Sequence, residues 1–365
     1  MRRRLLRWLC CPLCQGTLSL QVFVEYQERL AAPPPGHPLW FGPSPDSHAP
    51  ALRDKSWLRE IKEGLLWCDC GAVYPVWDGI PRLYEGAIRD APATFAARTS
   101  AQSLVAGNAA RRLSTRTRDC YTYLWTFKAE RLGWTYRPEG EKDFFLQNMG
   151  LSEADLPGKT LLDAGCGDGR LTSFLATLGL ETIGIDLSAG VEIGYAHNRS
   201  PLVHYVQGDL LQPPFRASSF DFVWSFGVLH HTRNTKLAFH GCAEMLRPGG
   251  RLFVWLYDKA PRRRAALIRA FQRAPMPAKR LVSRVCTIGN RIKRTFGRGN
   301  PVTLSQSDDE VYFWNMDMYG PEFRYLHTLP EVESWCKELG FEHITHRERM
   351  EFGFGLTADR GASKE

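Results

Sequence analysis

One short run constrains this chain more than any other: Thr160-Leu-Leu-Asp-Ala-Gly-Cys-Gly-Asp-Gly-Arg170. An apolar stretch ends in Asp163, and glycines follow at 165, 167 and 169. The next residues place Leu171, Phe174, Leu175 and Leu178 on one face of a helix. Strand, glycine turn and helix in that order form the opening unit of an open parallel sheet with a nucleotide-type site. The spacing excludes two kinds of site. A dinucleotide fingerprint needs its third glycine at 170, where Arg170 stands, and no Gly-Lys-Ser/Thr triplet follows to make a phosphate-binding loop.

Glycines remove Cβ atoms where a ligand must touch backbone. A carboxylate at the strand end suits a ligand carrying an ammonium and a sulfonium, not phosphates. A second strand, Glu181-Thr-Ile-Gly-Ile-Asp186, follows. Its terminal Asp186 lies about 20 residues past the first glycine, where an acidic side chain takes ribose hydroxyls. The pattern D-x-G-x-G-x-G resembles motif I of the class I S-adenosylmethionine-dependent methyltransferases. Further stations occur in that family's order: the strand Leu202–Leu210 with Gly208 and Asp209, the run Phe220–Thr232 resembling motif IV, and Leu246-Arg-Pro-Gly-Gly-Arg-Leu-Phe-Val-Trp255. The style is close to the small-molecule branch that includes ubiquinone and menaquinone methyltransferases. The resemblance implies an α/β fold with a Rossmann-like seven-stranded sheet and S-adenosyl-L-methionine as cofactor. It implies a cofactor site drawn from Asp163, Gly165, Cys166, Gly167, Asp186, Leu187, Gly208, Asp209, Leu210 and Ser225, with Asp209 and its neighbour holding the adenine.

Residues 1–84 read as a separate unit. Cys11-Pro-Leu-Cys14 is answered much later by Cys68-Asp-Cys70-Gly71. Four thiolates from two knuckles make a tetrahedral structural zinc site. The opening CPxC and the closing Cys70-Gly-Ala-Val-Tyr-Pro-Val-Trp-Asp-Gly-Ile-Pro-Arg-Leu83 resemble the zinc ribbon related to the tRNA-methyltransferase activator family. That resemblance implies zinc on Cys11, Cys14, Cys68 and Cys70. The second pair departs from it, being CxC instead of CxxC. Cys10, His37 and His48 are further potential ligands, and the proline-rich insertion 31–56 reads as disordered.

The formal charge of +8 is not spread over the surface, because thirteen basic and no acidic residues fall between Lys259 and Arg298. No run approaches the roughly 18 apolar residues of a membrane span. The N-terminal Met-Arg-Arg-Arg-Leu-Leu-Arg-Trp-Leu is too short and too interrupted for a signal peptide. A cytoplasmic protein, free or membrane-associated, is expected, its ten cysteines serving as ligands or buried thiols.

The remaining organisation is a linker over 85–118, an aromatic helical cap over 119–157, the cofactor core over 158–258, a basic helical lid over 259–325, and a closing helix with edge strands over 326–365. In the cap, Tyr121, Tyr123 and Trp125 are candidates for lining the acceptor pocket. In the lid, Leu281, Val285, Ile288, Ile292 and Phe296 recur at helical spacing among arginines. Two amphipathic helices are expected there, closing over the acceptor side with the apolar stripe buried on the crevice rim. The arginines left outside would face an anionic substrate or membrane surface, RNA phosphates, or solvent.

These features point to methyl transfer onto a small-molecule or lipid-like acceptor. His230 and His231, at the mouth of the fourth strand, are the candidates for a catalytic base. An RNA methyltransferase is the alternative the basic segment suggests, although no Asn/Asp-Pro-Pro-Tyr/Phe motif is present and Ser225-Phe-Gly-Val stands in its place. A non-catalytic cofactor-binding protein is the third alternative.

Overall fold

The computed structural model describes residues 1–27, 59–98, 115–133, 138–198, 200–259, 265–295, 306–347 and 352–361. His37, His48, Phe296 and the proline-rich insertion lie outside them. The chain opens with an antiparallel meander of β1 (Ser19–Gln27), β2 (Arg59–Trp67), β3 (Val73–Trp77) and β4 (Ile80–Leu83). Short helices α1 (Ala87–Asp90) and α2 (Ala93–Arg98) follow, then α3 (Thr115–Arg131) and α4 (Pro138–Met149). The core alternates β5 (Thr160–Ala164), α5 (Arg170–Ala176), β6 (Glu181–Asp186), α6 (Gly190–His197), β7 (Val203–Gly208), β8 (Phe220–Phe226), α7 (Thr235–Met245) and β9 (Leu246–Tyr257). Helices α8 (Ala265–Arg273), α9 (Met276–Thr295), α10 (Asp308–Tyr319) and α11 (Leu329–Glu338) precede β10 (Phe341–Arg347) and β11 (Gly353–Arg360). No helix among the described residues is long and apolar enough to cross a membrane.

The strands form one sheet in the order β1-β2-β3-β4-β7-β6-β5-β8-β9-β11-β10. The expected seven-stranded sheet is its right-hand part, β7 to β10. Neighbours from β7 to β9 run parallel, and β11 is antiparallel to both β9 and β10. The chain builds β5, β6 and β7 outward, then returns to the other side of β5 for β8. That reversal opens a crevice at the strand ends, where a ligand binds in open α/β sheets. The central strands are Val-, Ile- and Leu-rich and buried on both faces, as parallel strands covered by helices must be.

The ribbon is not the separate unit that its composition suggests. Its last strand, β4, pairs in parallel with β7, through Arg82 opposite Gln207 and Leu83 opposite Gly208. The C-terminal end of the edge that β7 would expose is thereby covered. Leu5, Leu9, Leu66 and Val76 from the ribbon share one apolar core with Ile185, Val206 and Phe215. Arg82 is the polar pin of this junction. Its Nη1 donates to Gln207 Oε1 at 2.7 Å and lies 2.8 Å from Glu192. Its guanidinium stacks on Trp77 at 4.4 Å. Part of the expected linker is ordered too: Ile88 of α1 and Phe95 of α2 pack with Leu65 of the ribbon.

The helical lid corrects a second expectation. Two helices form where the pattern places them, but α9 is turned the other way. Its inner face is polar: Lys279, Ser283 and Thr287 are buried, and Lys279 Nζ donates to Gly320 O at 2.6 Å. Leu281, Val285, Ile288 and Ile292 point outward. The reason lies in the seat made jointly by α3 and α10, which offers α9 polar partners. Tyr123 and Tyr312 share a hydroxyl contact of 2.9 Å, and the Arg280 guanidinium covers the Tyr123 ring at 4.7 Å.

Arg82→Ala should lower stability by about 2–4 kcal/mol, because Gln207 loses its donor and a cavity opens beside Trp77. Arg82→Met should cost about 1–2 kcal/mol, since it refills the space beside Trp77 but still leaves Gln207 without its donor. Urea unfolding of the two variants checks the order; equal costs would mean that the guanidinium's polar contacts carry the junction and that packing beside Trp77 adds nothing.

Candidate cofactor and acceptor site

The crevice is built on the turn after β5. Gly165, Gly167 and Gly169 all have positive φ, at 92°, 55° and 69°. Each is also crowded: a Cβ would stand 2.3 Å from Val228 at Gly165, 2.4 Å from Trp125 at Gly167 and 2.4 Å from Tyr205 at Gly169. The Gly165 and Cys166 amides both donate to Ile185 O, at 2.8 and 3.0 Å, which folds the turn against the end of β6. The Gly167 amide donates to Asp186 Oδ2 at 2.9 Å, while Ser188 donates its amide and hydroxyl to Asp186 Oδ1 at 2.8 and 2.6 Å. Asp163, Gly165, Cys166, Gly167 and Asp186 therefore meet in one place.

Asp163 is buried beneath the turn and accepts from Thr172 Oγ1 at 2.6 Å. Burial, reinforced by the charges of Asp186 and Asp168, pushes its carboxyl up to about 7 against the Thr172 bond. Burial also raises Asp186 and Asp209 above the usual carboxylate range. At the far wall, Asp209 Oδ1 accepts from the Leu211 amide at 2.9 Å, with Gly208 and Leu210 on either side of it. Leu187 offers its carbonyl to Gln207 Nε2 at 3.0 Å, so the ribbon's Arg82 reaches the rim of this wall through Gln207. Ser225 is wholly buried and donates its hydroxyl to Ala164 O at 2.9 Å, tying β8 to β5.

Helix α3 lies across the crevice. Lys128 Nζ meets Asp168 Oδ2 at 2.8 Å, Thr122 Oγ1 accepts from the Ala189 amide at 3.1 Å, and Trp125 rests on Gly167 and Gly190. The Trp125 indole nitrogen and the Tyr121 hydroxyl are buried without a hydrogen-bond partner of good geometry. The Tyr121 ring stands edge-on to His231 at 5.5 Å. His231 places Nδ1 2.8 Å from Phe323 O, which makes that nitrogen the donor. Burial and the nearby Arg324 charge hold its imidazole down to about 3 against that bond, so it is neutral. His230 is wholly buried against Tyr257, 4.1 Å between ring centres, with neither ring nitrogen partnered. Burial holds it neutral as well.

Three residues here escaped the sequence reading. Lys128 carried no signal beyond an ordinary helix charge. Arg324 spreads its guanidinium over Tyr257 at 4.4 Å. Asp317, on α10, is half-buried and faces the Tyr121 hydroxyl. Burial pushes its carboxyl up to about 6, although Tyr121 and the charges of Arg324 and Lys128 pull it down. A lone carboxylate within an aromatic run, Phe313-Trp-Asn-Met-Asp-Met-Tyr319, was the available clue.

At the opposite end, the four ribbon thiols converge within 4.8 Å of one another. Cys11 and Cys70 are 3.7 Å apart, and Cys14 and Cys68 are 3.5 Å apart. Tetrahedral zinc with bonds near 2.3 Å spaces its sulfurs by about 3.8 Å. The donor set therefore fits that metal. Gly71, with φ at 88°, closes the Cys68–Cys70 turn and lets the shortened CxC pair reach the same point as a longer knuckle. Gly16 is kept bare because a Cβ would press on the Cys14 and Cys68 sulfurs at 3.1 and 3.2 Å. Cys10 stays out of the cluster and faces Gln15 at 3.0 Å.

Family models match both parts of the chain: a methyltransferase domain over residues 162–254 and a Trm112p-like protein over residues 2–79. This chain carries a methyltransferase domain behind a Trm112p-like domain. An uncharacterised methyltransferase of Synechocystis sp. is 33% identical over 135 residues, covering 36% of this chain and 61% of the relative. A demethylmenaquinone methyltransferase of Beutenbergia cavernae is 38% identical over 109 residues, 29% of this chain and 43% of the relative. A ubiquinone biosynthesis O-methyltransferase of Nitrosococcus oceani is 31% identical over 115 residues, 30% of this chain and 49% of the relative. The chain thus spans about half the length of the curated relatives it matches.

The methyltransferase domain's crevice fits S-adenosylmethionine: bare glycine backbone, buried carboxylates for its cationic groups, and unpartnered polar atoms on the cap. A cation favours the ionised form of Asp163, so binding releases a proton from it. Affinity for S-adenosylmethionine should fall about tenfold per pH unit below about 7. Asp163→Asn should flatten that dependence. Calorimetry in buffers of different ionisation enthalpy checks the proton release, and a pH-independent affinity in the parent would refute the assignment.

The Trm112p-like domain should carry about one zinc per chain on Cys11, Cys14, Cys68 and Cys70, measurable by elemental analysis. Four thiolates leave no open position, so the metal supports folding, not chemistry. Chelation should unfold the ribbon, as lost protection of the β2–β3 amides from hydrogen exchange. Retention of that protection in metal-free protein would show that the metal is dispensable.

Proposed function

We propose that this chain transfers a methyl group from S-adenosylmethionine to a small or lipid-like acceptor bearing a ring hydroxyl or ring carbon of quinol type. The observation that carries this reading is the convergence of Asp163, the glycine turn and Asp186 at the sheet's switch point, beneath an aromatic cap. The relatives' quinone acceptors supply the acceptor class. In this reading, residues 1–84 are the metal ribbon, 85–118 the connection, 119–157 the cap, 158–258 the cofactor core, 259–325 the helical segment over the acceptor side, and 326–365 the closing edge.

When bound, S-adenosylmethionine supplies an electrophilic methyl group that needs no activation by the protein. What the chain must do is hold the acceptor at near-attack distance, exclude water and take up a proton. The cap helix α3, pinned by Lys128 on Asp168 and by Thr122 on the Ala189 amide, closes the crevice from solvent. Tyr121 and Trp125, half-buried and stacked on each other, are the rings nearest a flat acceptor.

We assign the proton to Asp317 in preference to His231. A group held down to about 3 takes a proton poorly at neutral pH, and the one ring nitrogen with a partner already donates to Phe323. His231 and His230 instead form the wall that sets the angle of Tyr121 and Tyr257. Asp317, pushed up to about 6, is ionised at neutral pH yet basic enough to accept. Arg324 and Lys128 limit the rise and so keep it ionised.

Two measurements test this. Incubation with methyl-labelled donor and a fractionated extract should place label in lipid or small-molecule fractions; label in RNA alone would sink the acceptor class. Asp317→Asn should then lower kcat by about a hundredfold with cofactor affinity unchanged. The parent's activity should fall as pH drops through about 6, since the base must be ionised, and the variant should lose that limb. A larger loss from His231→Ala than from Asp317→Asn would reverse the assignment.

A further inference from the structure

Helix α9 presents an amphipathic surface turned inside out. Leu281, Val285, Ile288 and Ile292 are exposed to 64, 59, 57 and 54%. At i, i+4, i+7 and i+11 they form one stripe along the helix, roughly 16 Å long at 1.5 Å per residue. Val282 lies beside it and is also exposed. Cations border the stripe: by helical geometry Arg284 and Arg291 fall on one flank and Lys293 on the other, all exposed. The preceding helix α8 adds Arg269 and Arg273, both exposed. The facing acids sit at the two ends of the helix: Asp308 at the start of α10 lies 3.8 Å from Arg291, and Asp119 lines a pocket with Arg273, Met276 and Lys279. The helix is anchored from behind by Lys279 on Gly320 O, so its orientation is set by the fold and not by the stripe.

We propose that this outward face of α9 docks on an anionic lipid bilayer. An apolar stripe bordered by cations is the arrangement that lies in a membrane interface, with the stripe among acyl chains and the cations at headgroup phosphates. Charge selects this occupant over the others. A second copy would bring Arg284, Arg291 and Lys293 against their own counterparts without intervening acids. Nucleic acid would meet the cations but leave Leu281, Val285, Ile288 and Ile292 in water. Docking would also bring the acceptor side to the bilayer, because α9 packs on α10 and α10 carries Asp317. That consequence rests on the methyl-transfer reading; the docking itself does not.

The test is flotation of the full-length protein with vesicles, read as bound protein and independent of methyl transfer. With phosphatidylcholine vesicles containing about a third phosphatidylglycerol, the parent should float with the lipid; with pure phosphatidylcholine it should not. Combining Leu281→Ser, Val285→Ser, Ile288→Ser and Ile292→Ser should weaken binding on the order of a hundredfold. Combining Arg284→Gln, Arg291→Gln and Lys293→Gln should weaken it about fivefold per charge removed, and more salt should weaken the parent likewise. The thermal midpoint and S-adenosylmethionine affinity should be unchanged in both variants, because all seven side chains are exposed. Binding that survives the serine variant overturns the proposal. So does a parent dimer that the serine variant makes monomeric, which would give the stripe to a second copy. So, too, does tight single-stranded RNA binding lost only in the glutamine variant, with no vesicle binding in the parent. Failure here leaves cofactor binding intact, so it is distinguishable from failure of the methyl-transfer reading.

Discussion

The turn after β5 is a stretch of backbone that its neighbours must approach from several sides at once. Gly165, Gly167 and Gly169 each adopt a left-handed conformation and each lie where a Cβ would overlap another side chain. The conformation alone costs a non-glycine residue roughly 1–2 kcal/mol, and the overlaps add to that. With the turn in place, the Gly167 amide is aimed at Asp186, Asp186 is fixed between that amide and Ser188, and α6 starts close enough for Gly190 to pack on Gly167. Cap helix α3 then settles on bare backbone through Trp125. Crevice wall, helix start and cap all descend from one backbone constraint.

A second dependence runs through the sheet's edge. Parallel strand β7 would end the sheet as an open edge, and β4 covers its C-terminal end. The same contact places Arg82 on Gln207, and Gln207 on the carbonyl of Leu187, one residue past Asp186. A small metal-binding module thereby becomes part of the frame of a site to which it contributes no ligand of its own. Its core is continuous with that of the methyltransferase domain.

Electrostatics give the crevice its character. Burial raises Asp163, Asp186, Asp209 and Asp317 and holds His230 and His231 neutral. Carboxylates whose ionised forms are disfavoured by burial regain them when a cation arrives, and little solvent has to reorganise. Such a pocket favours a cationic ligand over a phosphate-bearing one. That physical preference accords with the exclusion of phosphate sites made on glycine spacing alone.

The sequence by itself determined the parallel sheet and the glycine turn at its switch point. Period-two and run-type apolar patterns, positive-φ glycines and terminal carboxylates are local properties, so β5, β6, β7, β8 and the residues Asp163, Gly165, Gly167 and Asp186 could be placed within a residue or two. The four ribbon cysteines were legible for the same reason, although Gly71 was needed to show how a CxC pair closes the cluster. Only the tertiary structure decided the rest. The ribbon joins the main sheet because an edge strand needs a partner, and no local pattern names which one. The apolar stripe of α9 faces out, although amphipathicity predicts it inward. A helical pattern specifies that two faces differ, but the partner surface decides which is buried, and here Tyr123, Tyr312 and the Gly320 carbonyl suit a polar one. Asp317 stayed hidden because it acquires its raised pKa and its place beside Tyr121 only when two helices nearly two hundred residues apart in sequence pack together.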